Sequence, residues 1–590
     1  MTRRSFAPPT PLAVLPRIAR IAWFALVLPA LLLSTAAPVA AAPSDAARLD
    51  ALVRKYMDGH FSFQPSLATF MGVHTYDHEL ENTTRARIDK EAAFIRSTLR
   101  ELDAIPRDKL DAGGQVDYDL FRNTIQGHLY QITDLRPWET DPGAYGLGWC
   151  LENLIAREFA PAPERLQSVI ARLRLLPRQF VNARANLKNP PRLLAEFAAD
   201  DLEGSLSYLD LDVPRAFATV TDSALWREYD VVKEKAQEEM KKQATWIRTV
   251  LVPKSKGSYV LGEERYRKRL LYEEMIDQPI DTLLSIGSRE LVRLRARYKD
   301  CAERIAPGAP MDTVLAMMRR DHPTREGLLD EVRALLGELR AYCLSSGFIR
   351  FPSEAPLSVR ATPEYAASRS FASFDGPGPL ETKARDSYYN ITLPGAGWDA
   401  DRVEQHLQAY SRWTLPSVSI HEVYPGHYAH FLYGPEAPTF ARKCMGSGSF
   451  SEGWGLYAEE ALFDHGYAKG DPKKEFGMLR WALVRSCRLQ VGLRVHTRGM
   501  SMDDAKKFFV ENAGMEPANA EREAFRAAFD PLYIVYTVGA LQIRKLRDDV
   551  RVKEGTSFEL ASFHARILSQ GALPVKLLRR LLLSDDGPTL

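Results

Sequence analysis

His421 and His427 stand six residues apart in Ser419-Ile-His-Glu-Val-Tyr-Pro-Gly-His427, and that interval limits what the surrounding chain can fold into. Two imidazoles share one helix face most simply when four residues apart, where about 40° of rotation separates them. Six residues apart, they would point about 120° away from each other on an undistorted helix. Pro425 and Gly426 fall inside the interval. Pro425 lacks the N–H that a continuing helix needs, and its ring clashes with the carbonyl four residues back, that of His421. Gly426 accepts backbone angles closed to other residues. The sequence therefore predicts a helix that breaks or bulges at Pro425-Gly426 and brings His427 back to the His421 face.

Two neutral imidazoles, one carboxylate and an open fourth position are what hydrolytic zinc needs to bind water and lower its pKa. Glu422 directly follows the first histidine, as a base should, and a second acidic segment lies further on in Ser451-Glu452-Gly-Trp-Gly-Leu-Tyr-Ala-Glu459-Glu460. Phe450 to Phe463 reads as a helix, on which Glu452 and Glu459, seven residues apart, lie on nearly one face. His430 could compete as a ligand, whereas Phe450, Trp454 and Tyr457 read as packing. The plain alternative is a histidine-capped helix end followed by a Pro-Gly turn, with Glu452 a carboxylate favoured by the dipole near a helix start.

The run from His421 to His427, followed by Glu452-Gly-Trp-Gly-Leu-Tyr-Ala-Glu459, resembles the bacterial family catalogued as domain of unknown function 885. That family is placed among zincin-like metallopeptidases of the glutamate-ligand type. The two acidic positions also resemble the ligand helix of thimet-type oligopeptidases. The resemblance implies one Zn2+ per chain held by His421, His427 and Glu452, with Glu422 as general base. Glu459 would then orient an imidazole from behind. Tyr533 to Arg547 resembles a late family helix with Tyr-x-x-Gly, here Tyr536 and Gly539, which implies a Tyr536 hydroxyl bonded to the developing oxyanion. Where the family often has Pro-Gly-Gln, this chain has Asp530-Pro-Leu532. Val491 to Met500 resembles another family stretch; His496 matches it and is carried as a substrate contact, while Gly492 stands where Asp is frequent.

Around this motif the chain reads as helix after helix. Amphipathic segments run from Pro163 to Ala185, Leu225 to Val250, Gln278 to Ile305, Lys473 to Arg498 and Met502 to Asn512. Another runs from Pro323, at a first helical position, to Cys343, and Val403 to Trp413 reads as a helix before the motif. Ser501-x-x-Asp504 resembles a capping box. Between Ile349 and Ala396, Pro352, Pro356, Pro363, Pro377 and Pro379 leave no helical period. There Tyr388 to Leu393 reads as a short strand. Zincins place an edge strand beside the cleft, and extended peptides bind by adding to such an edge. Tyr389 and Asn390 are thus candidate substrate contacts, against the alternative of an ordinary packed strand. The expected fold is mainly α: a zincin-like helical metallopeptidase with a small edge sheet beside the active-site helix. Residues 42–350 form a helical N-terminal lobe and 351–590 a catalytic lobe, the two making one continuous family domain.

Residues 1–41 read as a signal peptide: arginines precede an apolar run from Ile21 to Leu33, and small residues offer a cleavage site near Ala41. Thr2-Arg3-Arg4-Ser5-Phe6 also resembles a twin-arginine signal. No cysteine lies near that cleavage site, which argues against a lipid anchor there, and no stable membrane span is expected once the signal is gone. Removing Arg3, Arg4, Arg17 and Arg20 turns a net charge of +2 into −2. No basic field is left for nucleic acid. Five scattered cysteines without Cys-x-x-Cys spacing could form at most two bridges. The expectation is an exported, periplasmic or secreted zinc peptidase acting on peptides, most simply short ones. The alternatives are a metal hydrolase of a non-peptide amide or ester, and an inactive binding protein on the same scaffold.

Overall fold

Helices form where the apolar period runs, and their ends follow the local chemistry. In a computed structural model the described residues are 43–590 except 364–366, 368–369 and 396. The expected signal peptide lies outside them. The segments read as amphipathic fold as Ala162–Asn186, Ser223–Trp246, Ile280–Ile305, Pro472–Thr497 and Met502–Ala513. Ser501 caps the last of these, its hydroxyl accepting from the Asp504 amide at 3.1 Å. The helix expected before the motif is Ala400–Ala409. The helix expected to begin at Pro323 begins instead at Leu328. The Gly327 amide donates to the Thr324 hydroxyl at 3.1 Å, so a side-chain-closed turn takes the place of the first helical turn.

The proline-punctuated stretch holds three short strands, β1 (Leu357–Ala361), β2 (Ala372–Asp375) and β3 (Ser387–Ile391). Their order is β1-β3-β2, with β1 parallel and β2 antiparallel to β3. Val359 and Phe374 flank Tyr389 in register. The strand expected from Tyr388 onward is thus the central one, and β2 forms an edge.

Residues Ser44–Leu590 make one unit. Its two apolar cores divide elsewhere than at residue 350. The smaller is built within Leu80–Leu251, around Leu166, Phe180 and Tyr229. The larger draws on both expected lobes, bringing Tyr56, Phe121 and Leu283 together with Tyr389, Trp454 and Phe563. Every catalytic candidate sits on elements packed into this larger core. The five cysteines are unpaired. No helix among the described residues is long and apolar enough to cross a membrane.

Candidate metal centre

Pro425 and Gly426 separate two helices, Leu415–Glu422 and His427–Tyr433. His421 lies in the last turn of the first helix, and His427 opens the second. A Cβ on residue 426 would collide with the carbonyl oxygens of Ile420 and His421, so only glycine lets the chain fold back this closely. Trp454, fully buried, donates from its indole Nε1 to the Pro425 carbonyl at 2.9 Å. The residue read as packing thus also fixes the break. The two imidazole centroids are 4.7 Å apart with their planes at 83°.

Trp454 belongs to the glutamate helix, Gly448–Asp464, which presents Glu452 and Glu459 to the histidines. Two close approaches seat it there. A Cβ at Gly455 would come within 2.7 Å of His421 Nδ1. Gly453 faces Gly539 of the late helix Val535–Glu554, where a Cβ at 453 would lie 2.6 Å from the Gly539 Cα. On its far side the helix is anchored by Glu460, which pairs with Arg293, Arg297 and Arg544 at 2.6–2.9 Å.

Glu452 Oε2 is 3.3 Å from His421 Nε2 and 3.5 Å from His427 Nε2. Among the described residues, these three side chains are the one such group whose ligand atoms converge, all within 4.8 Å of one another. Ligands at about 2.1 Å from a tetrahedral zinc stand about 3.4 Å apart, so the donor types and both spacings suit that ion. Burial opposes ionisation of Glu452, but His421 and His427 hold its carboxyl well below the usual range. Burial and the Arg485 charge push the His421 imidazole down; Glu452 and Glu459 outweigh them and raise it to about 9.

Glu459 is fully buried and accepts from His421 Nδ1 at 2.8 Å. With Nδ1 as donor, Nε2 is left to face Glu452 and His427. Ser417 donates to the other Glu459 oxygen, and Arg485, on the helix Pro472–Thr497, lies 3.2 Å from Oε1. Sequence reading missed Arg485. Its signal was an arginine inside an apolar stretch of helix, where a buried cation needs an acidic partner.

Glu422 points its Oε2 at the backbone amide of Phe374, 2.8 Å away on β2. That amide faces away from β3, so the base and the free edge of β2 meet at one place. The Tyr536 ring stacks 6.1 Å from the His421 ring. Burial and the nearby Glu452 charge raise its hydroxyl above the ordinary value, which keeps the proton on a would-be donor.

Three other candidates lie apart from the cluster. Tyr389 is fully buried in β3, its hydroxyl 3.2 Å from that of Ser419 on the histidine helix. Asn390 accepts from Arg360 at 2.8 Å. Both sit on the central strand, between the edge strands β1 and β2. His496 is buried, bonded to the Ala527 carbonyl at 2.8 Å and stacked on Tyr266. His430 is not in the converging group; burial and the neighbouring His427 lower its imidazole to about 4.

A family model described as a bacterial protein of unknown function, DUF885, matches residues 65–582. The chain belongs to this family. All the clustered residues fall within the DUF885 match. Two solved structures are similar. A putative lipoprotein of unknown function from Shewanella oneidensis is 25% identical with a TM-score of 0.77, over 92% of this chain and 100% of that one. A putative lipoprotein from Colwellia psychrerythraea is 17% identical with a TM-score of 0.79, over 92% and 99%; at that identity the likeness speaks for the fold alone. A comparison with curated proteins finds no match.

Proposed function

We propose that this DUF885 chain is an exported zinc-dependent peptidase of the zincin-like, glutamate-ligand type, acting on short peptides. The carrying observation is Glu422: it follows a ligand histidine and touches the free edge of β2 through the Phe374 amide. A structural zinc site closes its coordination with four protein ligands and has no use for a base. Here three donors converge, and a carboxylate directly follows one of them in the chain.

Zinc, when bound, supplies Lewis acidity and lowers the pKa of water. The chain's own residues do the rest. Glu422 takes a proton from the attacking water and returns it to the leaving amine. Tyr536, protonated and stacked near His421, donates to the oxygen on which charge develops. Glu459 and Arg485 hold His421 in one tautomer. On β2, Phe374 and the residue two before it turn their backbone groups away from β3. With the Phe374 amide held by Glu422, an extended peptide can add there as a further strand through the Phe374 carbonyl and the backbone groups of Ala372, beside the base. Export is supported by the arginine-then-apolar amino terminus and by the two relatives described as putative lipoproteins.

The test is incubation of purified protein with a mixed peptide library, with zinc or with a chelator, and product reading by mass spectrometry. Zinc-dependent cuts that vanish in Glu422→Gln are expected. Zinc-loaded protein that cuts nothing would overturn the reading.

A further inference from the structure

A cavity of about 290 Å³ opens one helical turn from Arg485. Phe371, Trp481, Val484 and Met515 supply its apolar wall, with Asn519 and Arg522 among its polar lining. That size lies near the lower end of small-molecule sites, roughly 300 Å³, and the mix of apolar wall with few polar groups is typical of them. It connects to the metal centre in two ways. Phe371 directly precedes β2, on which Phe374 meets Glu422. The Trp481 ring also lies 5.6 Å from the Arg485 guanidinium, which packs against Glu459 behind His421.

Most charges lining the cavity are already matched. Arg480 pairs with Glu516 at 3.2 Å, and Glu523 takes both arms of the Arg488 fork at 2.7 Å. Arg522 is exposed and has no ion-pair partner among the described residues. An apolar wall and an unmatched guanidinium at its mouth together call for a large apolar side chain accompanied by a negatively charged group.

Distance fixes where on a substrate those groups would be. Phe371 and Phe374 are three residues apart, about 10 Å along a strand rising about 3.3 Å per residue. A peptide laid along β2 with its scissile bond at the metal cluster reaches the cavity two or three residues away.

We propose that this cavity is a specificity subsite that takes an aromatic or long aliphatic side chain two or three residues from the scissile bond, with an adjacent carboxylate paired to Arg522. The inference rests on the peptidase reading of the metal centre. The carboxylate can be the peptide's own terminus or an acidic side chain; the chemistry at Arg522 is the same.

The experiment measures calorimetric binding to zinc-loaded full-length protein carrying Glu422→Gln, so that no peptide is consumed. Two matched pairs of pentapeptides serve as probes. One pair has Phe at the last position with a free carboxylate or an amide; the other has internal Phe-Glu or Phe-Gln and an amidated end. The acidic member of at least one pair should bind about three- to tenfold tighter, as expected of a charge-assisted contact at a solvent-open mouth. The pair that discriminates names the source of the carboxylate. Arg522→Gln on the same background should abolish the preference, and Arg522→Lys should restore part of it. Equal affinities within both pairs, a preference that survives Arg522→Gln, or no binding of any probe would overturn the subsite. Failure of the peptidase reading shows separately, as an absence of cuts when Glu422 is intact, and leaves the binding comparison standing.

Discussion

Glu459 Oε1 lies 2.8 Å from His421 Nδ1, and Glu452, two helical turns earlier on the same helix, faces the opposite nitrogen of that ring. One helix therefore addresses both sides of one imidazole. The first consequence concerns metal content. Protein loaded with zinc and freed of excess should hold one ion per chain by elemental analysis, and His427→Ala should lose most of it. Full occupancy in both His421→Ala and His427→Ala would rule the site out.

Glu459 should act through His421 rather than on a ligand of its own. Glu459→Gln keeps the side-chain volume but removes the charge that orients and polarises the ring. Partners of this kind change metal affinity by about 10–100-fold, and the isosteric change should sit near tenfold. Competition with a chromophoric chelator reads this directly; unchanged affinity would make Glu459 a purely structural acid.

Metal uptake should also depend on pH. His421 is raised to about 9, so below that value its imidazole carries a proton that an ion must displace. Affinity should climb by about tenfold per pH unit between 6.5 and 8.5 and level off near 9. The same chelator competition, corrected for the chelator's own titration, should show this slope. A flat profile would mean that His421 is already neutral.

The separation of base from ligands is tested by Glu422→Gln. An amide cannot accept a proton, but it can keep a bond to the Phe374 amide through its oxygen. Zinc content and melting temperature should stay near wild type while hydrolysis falls by about 10²–10⁴-fold, the usual worth of a positioned base. Loss of zinc in parallel with activity would instead move Glu422 among the ligands.

The break at Pro425-Gly426 and the shared face of Glu452 and Glu459 were legible because both follow from intervals within one or two turns of chain. The same holds for helix ends: Lys473 to Arg498 was expected and Pro472–Thr497 is found. What escaped reading depends on residues far apart in sequence. Arg485 reaches Glu459 from another helix, and nothing local says which acid it meets. β2 has only four residues, too few for an alternating pattern to show. Tyr389 and Asn390 were rightly placed on a strand, but strand order is set by long-range pairing, which put them in the centre of the sheet. The late start at Leu328 came from a hydroxyl-closed turn that competes with a proline start over a few residues.

Glu274 offers a test of how the glutamate helix is held. It is buried at the end of the helix Glu263–Glu274, and its Oε2 accepts from the Ser449 amide at 2.7 Å, one turn before Glu452. Burial pushes its carboxyl up to about 7, although the bonds at the helix start pull the other way. A carboxyl whose folded value exceeds its unfolded one binds its proton more tightly in the folded state. Its contribution to stability is thus fully present below about 4.5 and is lost as pH rises through 7. Glu274→Gln keeps an acceptor for Ser449 without a charge to bury. The variant's stability relative to wild type should therefore grow between pH 5 and 8, by an amount on the order of 3 kcal/mol for a shift of this size. Thermal melts of the two proteins across that range decide the matter, with zinc content followed in parallel and expected to be unchanged. A difference in melting temperature that does not vary with pH would mean that Glu274 is ionised in the folded protein throughout, held by the Ser449 amide more strongly than burial opposes it.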